Sequence, residues 1–141
     1  MIRIATKKDL YEVSKLWIEM SKELVPEREP NVEQWIEMCS NLFDAGMYYL
    51  VVYEVREILG FVDGMVFDEP STGQKHATAQ HYYVLPEYRK TKIASLLYNK
   101  AIEIGIEKKA TAVGIYCLPE MEQFWNDKGF KKKQIVMERG L

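Results

Sequence analysis

The stretch Tyr82-Tyr83-Val84-Leu85-Pro86-Glu87-Tyr88-Arg89-Lys90-Thr91-Lys92-Ile93-Ala94 constrains this chain more than any other. Its aromatic and aliphatic start reads as the end of a strand. Pro86 stops the strand, because proline has no N–H to give to a ladder. After a short basic turn, Ile93, Leu96, Leu97, Ala101 and Ile104 recur at helical spacing, which predicts a helix from about Thr91 to Lys108. A strand feeding directly into a helix leaves the first helical amides open. Those four N–H groups have no intrahelical partner, and the helix dipole adds partial positive charge there. With Arg89, Lys90 and Lys92 alongside, the turn suits an anion such as a pyrophosphate.

The pattern on either side fills in a layered fold. Ile2 to Ala5 alternates as a short strand. Thr6 and Asp9 resemble a capping box ahead of a helix carrying Leu10, Val13, Trp17, Met20 and Leu24. Val25-Pro26 ends that helix. Asn31 can cap a second one, with Val32, Trp35, Ile36, Cys39, Leu42 and Phe43 on one face and Gly46 at its close. Met47 to Val55 and Ile58 to Phe67 read as a hairpin, and His76 to Leu85 as a third long strand. Thr111 to Cys117 is the next strand. Glu120 to Lys128 is a short helix ended by Gly129, and Phe130 to Glu138 a last strand with Lys131, Lys132 and Lys133 near its start. The order β-α-α-β-β-β-α-β-α-β implies an α/β fold with a mixed, mostly antiparallel sheet and helices on both faces.

Length and composition narrow the function classes. With 141 residues, the chain suits one domain over 1–141. A formal net charge of −2 gives no reason to expect nucleic acid as a partner of the whole surface. The two cysteines, Cys39 and Cys117, lack nearby Cys or His, which argues against a zinc site and for two reduced thiols. Cys117 reads as a buried structural thiol. The longest apolar run, Gly46 to Tyr53, is too short to span a bilayer, so no membrane association and a cytoplasmic location are expected.

The segment from Val84 to Ala94 resembles the acyl-CoA-binding motif of the GNAT superfamily of N-acetyltransferases. There, a V-x-P-x-Y-R-like run leads into a turn of the form Arg/Gln-x-x-Gly-x-Gly/Ala. Val84, Pro86, Tyr88, Arg89 and Ala94 match, and Lys92 stands at the central glycine. The element order is similar to that fold along most of the chain. A second run, Phe124-Trp125-Asn126-Asp127-Lys128-Gly129-Phe130, resembles the family's Phe-Tyr-x-x-x-Gly-Phe, with Trp125 at the place of the general-acid tyrosine. Leu118 stands where the family often has Asn.

The resemblance implies acetyl-CoA as cosubstrate. Backbone amides of Arg89, Lys90, Thr91, Lys92, Ile93 and Ala94 would hold its pyrophosphate. Tyr83, Val84 and Leu85 would bond the pantetheine arm like an added strand, and Trp125 would pack against it. For catalysis the matching strand positions are Gln80 and His81, with His81 the candidate base because its intrinsic pKa is about 6.5. Trp125 cannot titrate, so Tyr116 is the candidate acid. The acceptor implied is a small-molecule or peptide amine, with Glu27, Arg28, Glu29, Asp68 and Glu69 on the loops bordering its cleft. The family's habit of pairing implies a homodimer. Two readings stay open: an N-acetyltransferase using direct attack, and a GNAT-like binding or structural protein, for example of phage or mobile-element origin, that has lost catalysis.

Overall fold

The computed structural model describes residues 1–141. Local signals place the first helices as expected. The Asp9 carboxylate reaches back to the Thr6 N–H at 2.8 Å, just ahead of α1 (Leu10–Leu24). The Asn31 side chain accepts from the Gln34 N–H at 3.0 Å and opens α2 (Val32–Asp44). Gly46 follows in the left-handed region (φ 69°), which only glycine enters without cost. No helix is long and apolar enough to cross a membrane.

Six strands form the sheet: β1 (Ile2–Ile4), β2 (Tyr48–Glu54), β3 (Ile58–Asp68), β4 (Lys75–Ala79), β5 (His81–Val84) and β6 (Ala112–Ile115). The path runs β1-β2-β3-β4-β6, with β5 also on β3. Every pairing is antiparallel except β4 with β6, which α3 (Ile93–Glu107) joins as a crossover. The core lies on both faces. Tyr48, Leu50, Val52 and Phe61 pack under α1 and α2, whereas Val51, Val62 and Val84 pack against Leu97 and Ile104 of α3.

Two expected elements differ. The long strand His76 to Leu85 breaks at Gln80 into β4 and β5. Val66 pairs with Ala77 on one side of the break and Asp63 with His81 on the other. Gly64 and Met65 therefore face three residues, Thr78, Ala79 and Gln80. One extra residue against a partner strand is a bulge, which bends the strand and re-aims its side chains.

The expected last strand, Phe130 to Glu138, does not form. The chain ends its regular structure at α4 (Glu122–Asp127), and 130–141 runs without helix or strand. Ile135, Val136 and Met137 are exposed, and the outer edge of the four-residue β6 is unpaired. Alternation alone does not make a strand, which needs a partner edge. Lys131, Lys132 and Lys133 form a like-charged run that favours water.

Candidate active site

The site follows from the bulge. Beyond Ala79, β5 has no neighbour on its outer side, because β6 pairs with β4 and stops at Ile115. A cleft of about 420 Å³ opens there between the strands and reaches both faces of the sheet. The Leu85 N–H donates to the Leu59 carbonyl at 3.0 Å. Because ladder groups alternate in direction, the N–H groups of Tyr82 and Val84 point the other way, along the open edge. The Val84 carbonyl on that edge accepts from Arg89 Nε at 2.8 Å. The remaining edge is a short run of backbone polar groups without a strand beside it.

Close approach of backbone to backbone builds the bulge. The Thr78 carbonyl accepts from the Tyr49 hydroxyl at 2.6 Å, and Thr78 Oγ1 accepts from the Met65 N–H at 3.0 Å. A Cβ on Gly64 would lie 1.7 Å from the Thr78 carbonyl oxygen, so only glycine fits opposite it. On the next residues, the Gln80 N–H donates to the Asp63 carbonyl at 2.8 Å, and the His81 N–H to Asp63 Oδ1 at 3.0 Å.

Asp63 is the candidate site residue that sequence reasoning missed. It is 1% exposed, yet it holds His81 twice: through the backbone, and through Nδ1, which lies 2.9 Å from Oδ1. The Tyr48 hydroxyl also donates to it. A lone acid amid the apolar run Ile58 to Phe67 was the available signal. A buried carboxylate needs such partners. Burial pulls the His81 pKa down, but the hydrogen bond and the charge of Asp63 outweigh it, and the net shift is upward from 6.5. Burial first, then the charge of Asp63, push the Tyr48 phenol far up, so it stays protonated as a donor. Thus Nδ1 is tied to Asp63, and the His81 side chain, 32% exposed, lines the cleft.

Tyr116 is exposed at the cleft rim on the side of His81. No protein group hydrogen-bonds its hydroxyl. Tyr82, by contrast, donates to the Ala94 carbonyl, and Tyr83 to Glu23 Oε1 at 2.8 Å. Trp125 is buried and lines the cleft on the α3 face. Its ring meets Tyr82 and Tyr98 at 5.9 Å and Phe130 at 5.4 Å. Cys117, expected to be buried, is exposed at the same rim, because the chain leaves the sheet after Ile115; Cys39 is the buried thiol.

Most of the basic turn is open, but the Arg89 N–H, expected to face a pyrophosphate, donates to the Pro86 carbonyl at 3.2 Å. Backbone N–H groups of Lys90, Thr91, Lys92, Ala94 and Ser95 have no partner in the protein; Ile93 N–H reaches only Thr91 Oγ1, at 3.3 Å. Lys90 takes the left-handed conformation (φ 67°), whereas Lys92 has φ −75° and ψ −3°, ordinary helical values. The position of the family's glycine thus needs no glycine freedom here. The Arg89 guanidinium turns away from this turn. It pairs with both Glu23 oxygens (2.9 and 3.0 Å) and lies 5.1 Å from the Tyr83 ring centroid. Leu85 caps the strand, and its carbonyl accepts from the Tyr88 N–H.

Comparison with known proteins agrees with this geometry. The acetyltransferase (GNAT) family matches residues 10–127. An acetyltransferase of Trypanosoma brucei superposes with a TM-score of 0.77 at 16% identity, covering 100% of this chain and 99% of that one. An aminoglycoside acetyltransferase from an uncultured soil metagenomic sample, crystallised with sisomicin, gives 0.76 at 15%, covering 100% and 95%. The ribosomal-protein-alanine N-acetyltransferase of Brucella melitensis biovar Abortus 2308 gives 0.73 at 16%, covering 100% and 99%. No curated protein sequence matches the chain. At these identities the structures attest the fold, while the family match spans most of the chain: it belongs to the GNAT acetyltransferases.

Proposed function

We propose that this chain, as one domain over residues 1–141, is an acetyl-CoA-dependent N-acetyltransferase that acylates a primary amine by direct attack. The observation that carries the reading is the cleft opened by the bulge, with an unpartnered donor edge along one wall and His81 held by Asp63 beside it. The residues present fit coenzyme A. Five unpartnered amides from Lys90 to Ser95, with the Lys90 and Lys92 ammonium groups, suit a pyrophosphate. The open edge at Tyr82 and Val84 suits the amide-bearing arm, and Trp125 gives it an apolar wall. Arg89 serves by holding the strand end rather than by touching phosphate.

When bound, acetyl-CoA supplies an activated acyl group. His81 accepts the ammonium proton, and Asp63 keeps its far nitrogen oriented and favours the imidazolium that results. The Tyr82 and Val84 amides, on the open edge of β5, can stabilise negative charge on an acyl oxygen. In this reading Tyr116, whose hydroxyl at the rim has no protein partner, gives a proton to the leaving thiolate and regains one from the second proton that the acylated nitrogen sheds. Trp125 has no such proton to give.

Thermal melts with acetyl-CoA and desulfo-CoA test the cofactor site. A ligand at one hundred times its Kd stabilises by about 2.7 kcal/mol. Absence of any shift at millimolar concentration would remove the cofactor and the reading with it. Thiol release in the presence of an amine panel, lost in His81→Gln while the melt shift remains, tests the base.

A further inference from the structure

Resting on the transferase reading, we infer that the acceptor is a primary monoamine on an apolar body, an alkylamine or arylalkylamine, rather than a polyamine or an amino sugar. The amine must approach from the face where His81 points. That face is fixed by Asp63 and Tyr48, which pack beneath α1 and α2. There the cleft meets a second cavity of about 370 Å³, and the two share Gln80, His81 and Tyr116. Together they fall within the size range of small-molecule sites.

The walls on this side are apolar. Met20 and Leu24 come from the end of α1, Met38 and Leu42 from α2, and Met65 from β3. No carboxylate lines either cavity. Asp63 is sealed behind His81, and Glu23 is engaged by Arg89 and Tyr83. None of the loop charges Glu27, Arg28, Glu29, Asp68 and Glu69 lines either cavity. Arg28 pairs with Glu138, Asp68 with Lys75, and Glu69 with its own Ser71 and Thr72. A single ammonium can give its proton to His81. A second positive charge would lose water against methionine and leucine with no carboxylate in exchange, and a ring of hydroxyls would find only the Gln80 amide and the Tyr116 hydroxyl. An alkyl or aryl body gains by the same contact. Three unbranched methionines can adapt to bodies of different shape, so the site selects for apolarity more than for one outline.

The homologous series from propylamine to hexylamine tests this, because amine basicity is nearly constant along it. With saturating acetyl-CoA and thiol release as readout, kcat/KM rises about fourfold per added methylene until the wall ends. Diamines and amino alcohols of equal length trail the alkylamines by at least tenfold. Met38→Glu, on a half-exposed helix position, narrows that gap by restoring a partner for the second charge. Diamines or amino sugars used as well as alkylamines would overturn the inference. So would an acetyl-CoA melt shift with no alkylamine acylated, which leaves the cofactor site standing. Loss of the acetyl-CoA shift itself would overturn the function reading and this one together.

Discussion

Replacing Gly64 with alanine tests whether the bulge builds the site. The added Cβ would meet the Thr78 carbonyl oxygen at 1.7 Å and carbon at 2.7 Å, both backbone atoms, and the Tyr49 hydroxyl at 2.7 Å. Cβ contacts below 3.0 Å essentially never occur, so β4 must retreat by more than an ångström. That movement breaks the Tyr49–Thr78 and Met65–Thr78 hydrogen bonds, each worth about 1 kcal/mol net. It also strands a buried phenol, at about 1–3 kcal/mol more. The expected loss is about 3–5 kcal/mol. For a chain of this size, that lowers Tm by about 10–15 °C. Urea unfolding gives the free energy and scanning calorimetry the Tm. Because the retreat also moves Gln80 and His81, any folded fraction should bind acetyl-CoA less well, readable as a smaller melt shift. Gly140→Ala, with open space around it, is the control. A Gly64→Ala protein that melts within about 3 °C of the parent, with its acetyl-CoA shift intact, would refute the account of the bulge.

Two further outcomes are expected. The raised His81 pKa means that its attraction to Asp63 stabilises the fold fully below pH 6.5, and that this contribution fades as pH rises through the higher folded value. As a base His81 must be neutral, so kcat/KM should rise with pH through a midpoint above 6.5. In Asp63→Asn burial is left unopposed and that midpoint should drop; pH profiles of the two proteins that coincide would reject the pairing. Lys92→Glu should weaken CoA about tenfold or more by titration calorimetry, since a charge-assisted contact is worth about 1.5–3 kcal/mol. Unchanged affinity would place the Lys92 ammonium outside the site.

What the sequence disclosed divides by range. Asn31, Thr6 with Asp9, and Gly46 act within a few residues, so the helix ends could be read directly. The run from Val84 to Ala94 also acts locally: it leaves the Lys90, Thr91, Lys92 and Ala94 amides open, while that of Arg89 is taken by Pro86. The break at Gln80 was hidden because its cause lies across the sheet, in the approach of Thr78 to Gly64. Asp63 was hidden for the same reason: its partners Tyr48 and His81 lie 15 and 18 residues away. The Arg89 side chain reads locally as a phosphate ligand, but Glu23, 66 residues earlier, holds its guanidinium. The strand expected after Phe130 shows the reverse error, a local alternation without a distant edge to complete it.

The two cysteines have unlike surroundings. Burial pushes the Cys39 thiol up to about 11, so it is both enclosed and poorly nucleophilic at neutral pH. Cys117 stands free at the lip of the cleft. A maleimide or nitroxide reagent therefore has one preferred attachment point in the unmodified chain. The wild-type sequence already carries the handle for a fluorescent or spin reporter of what enters.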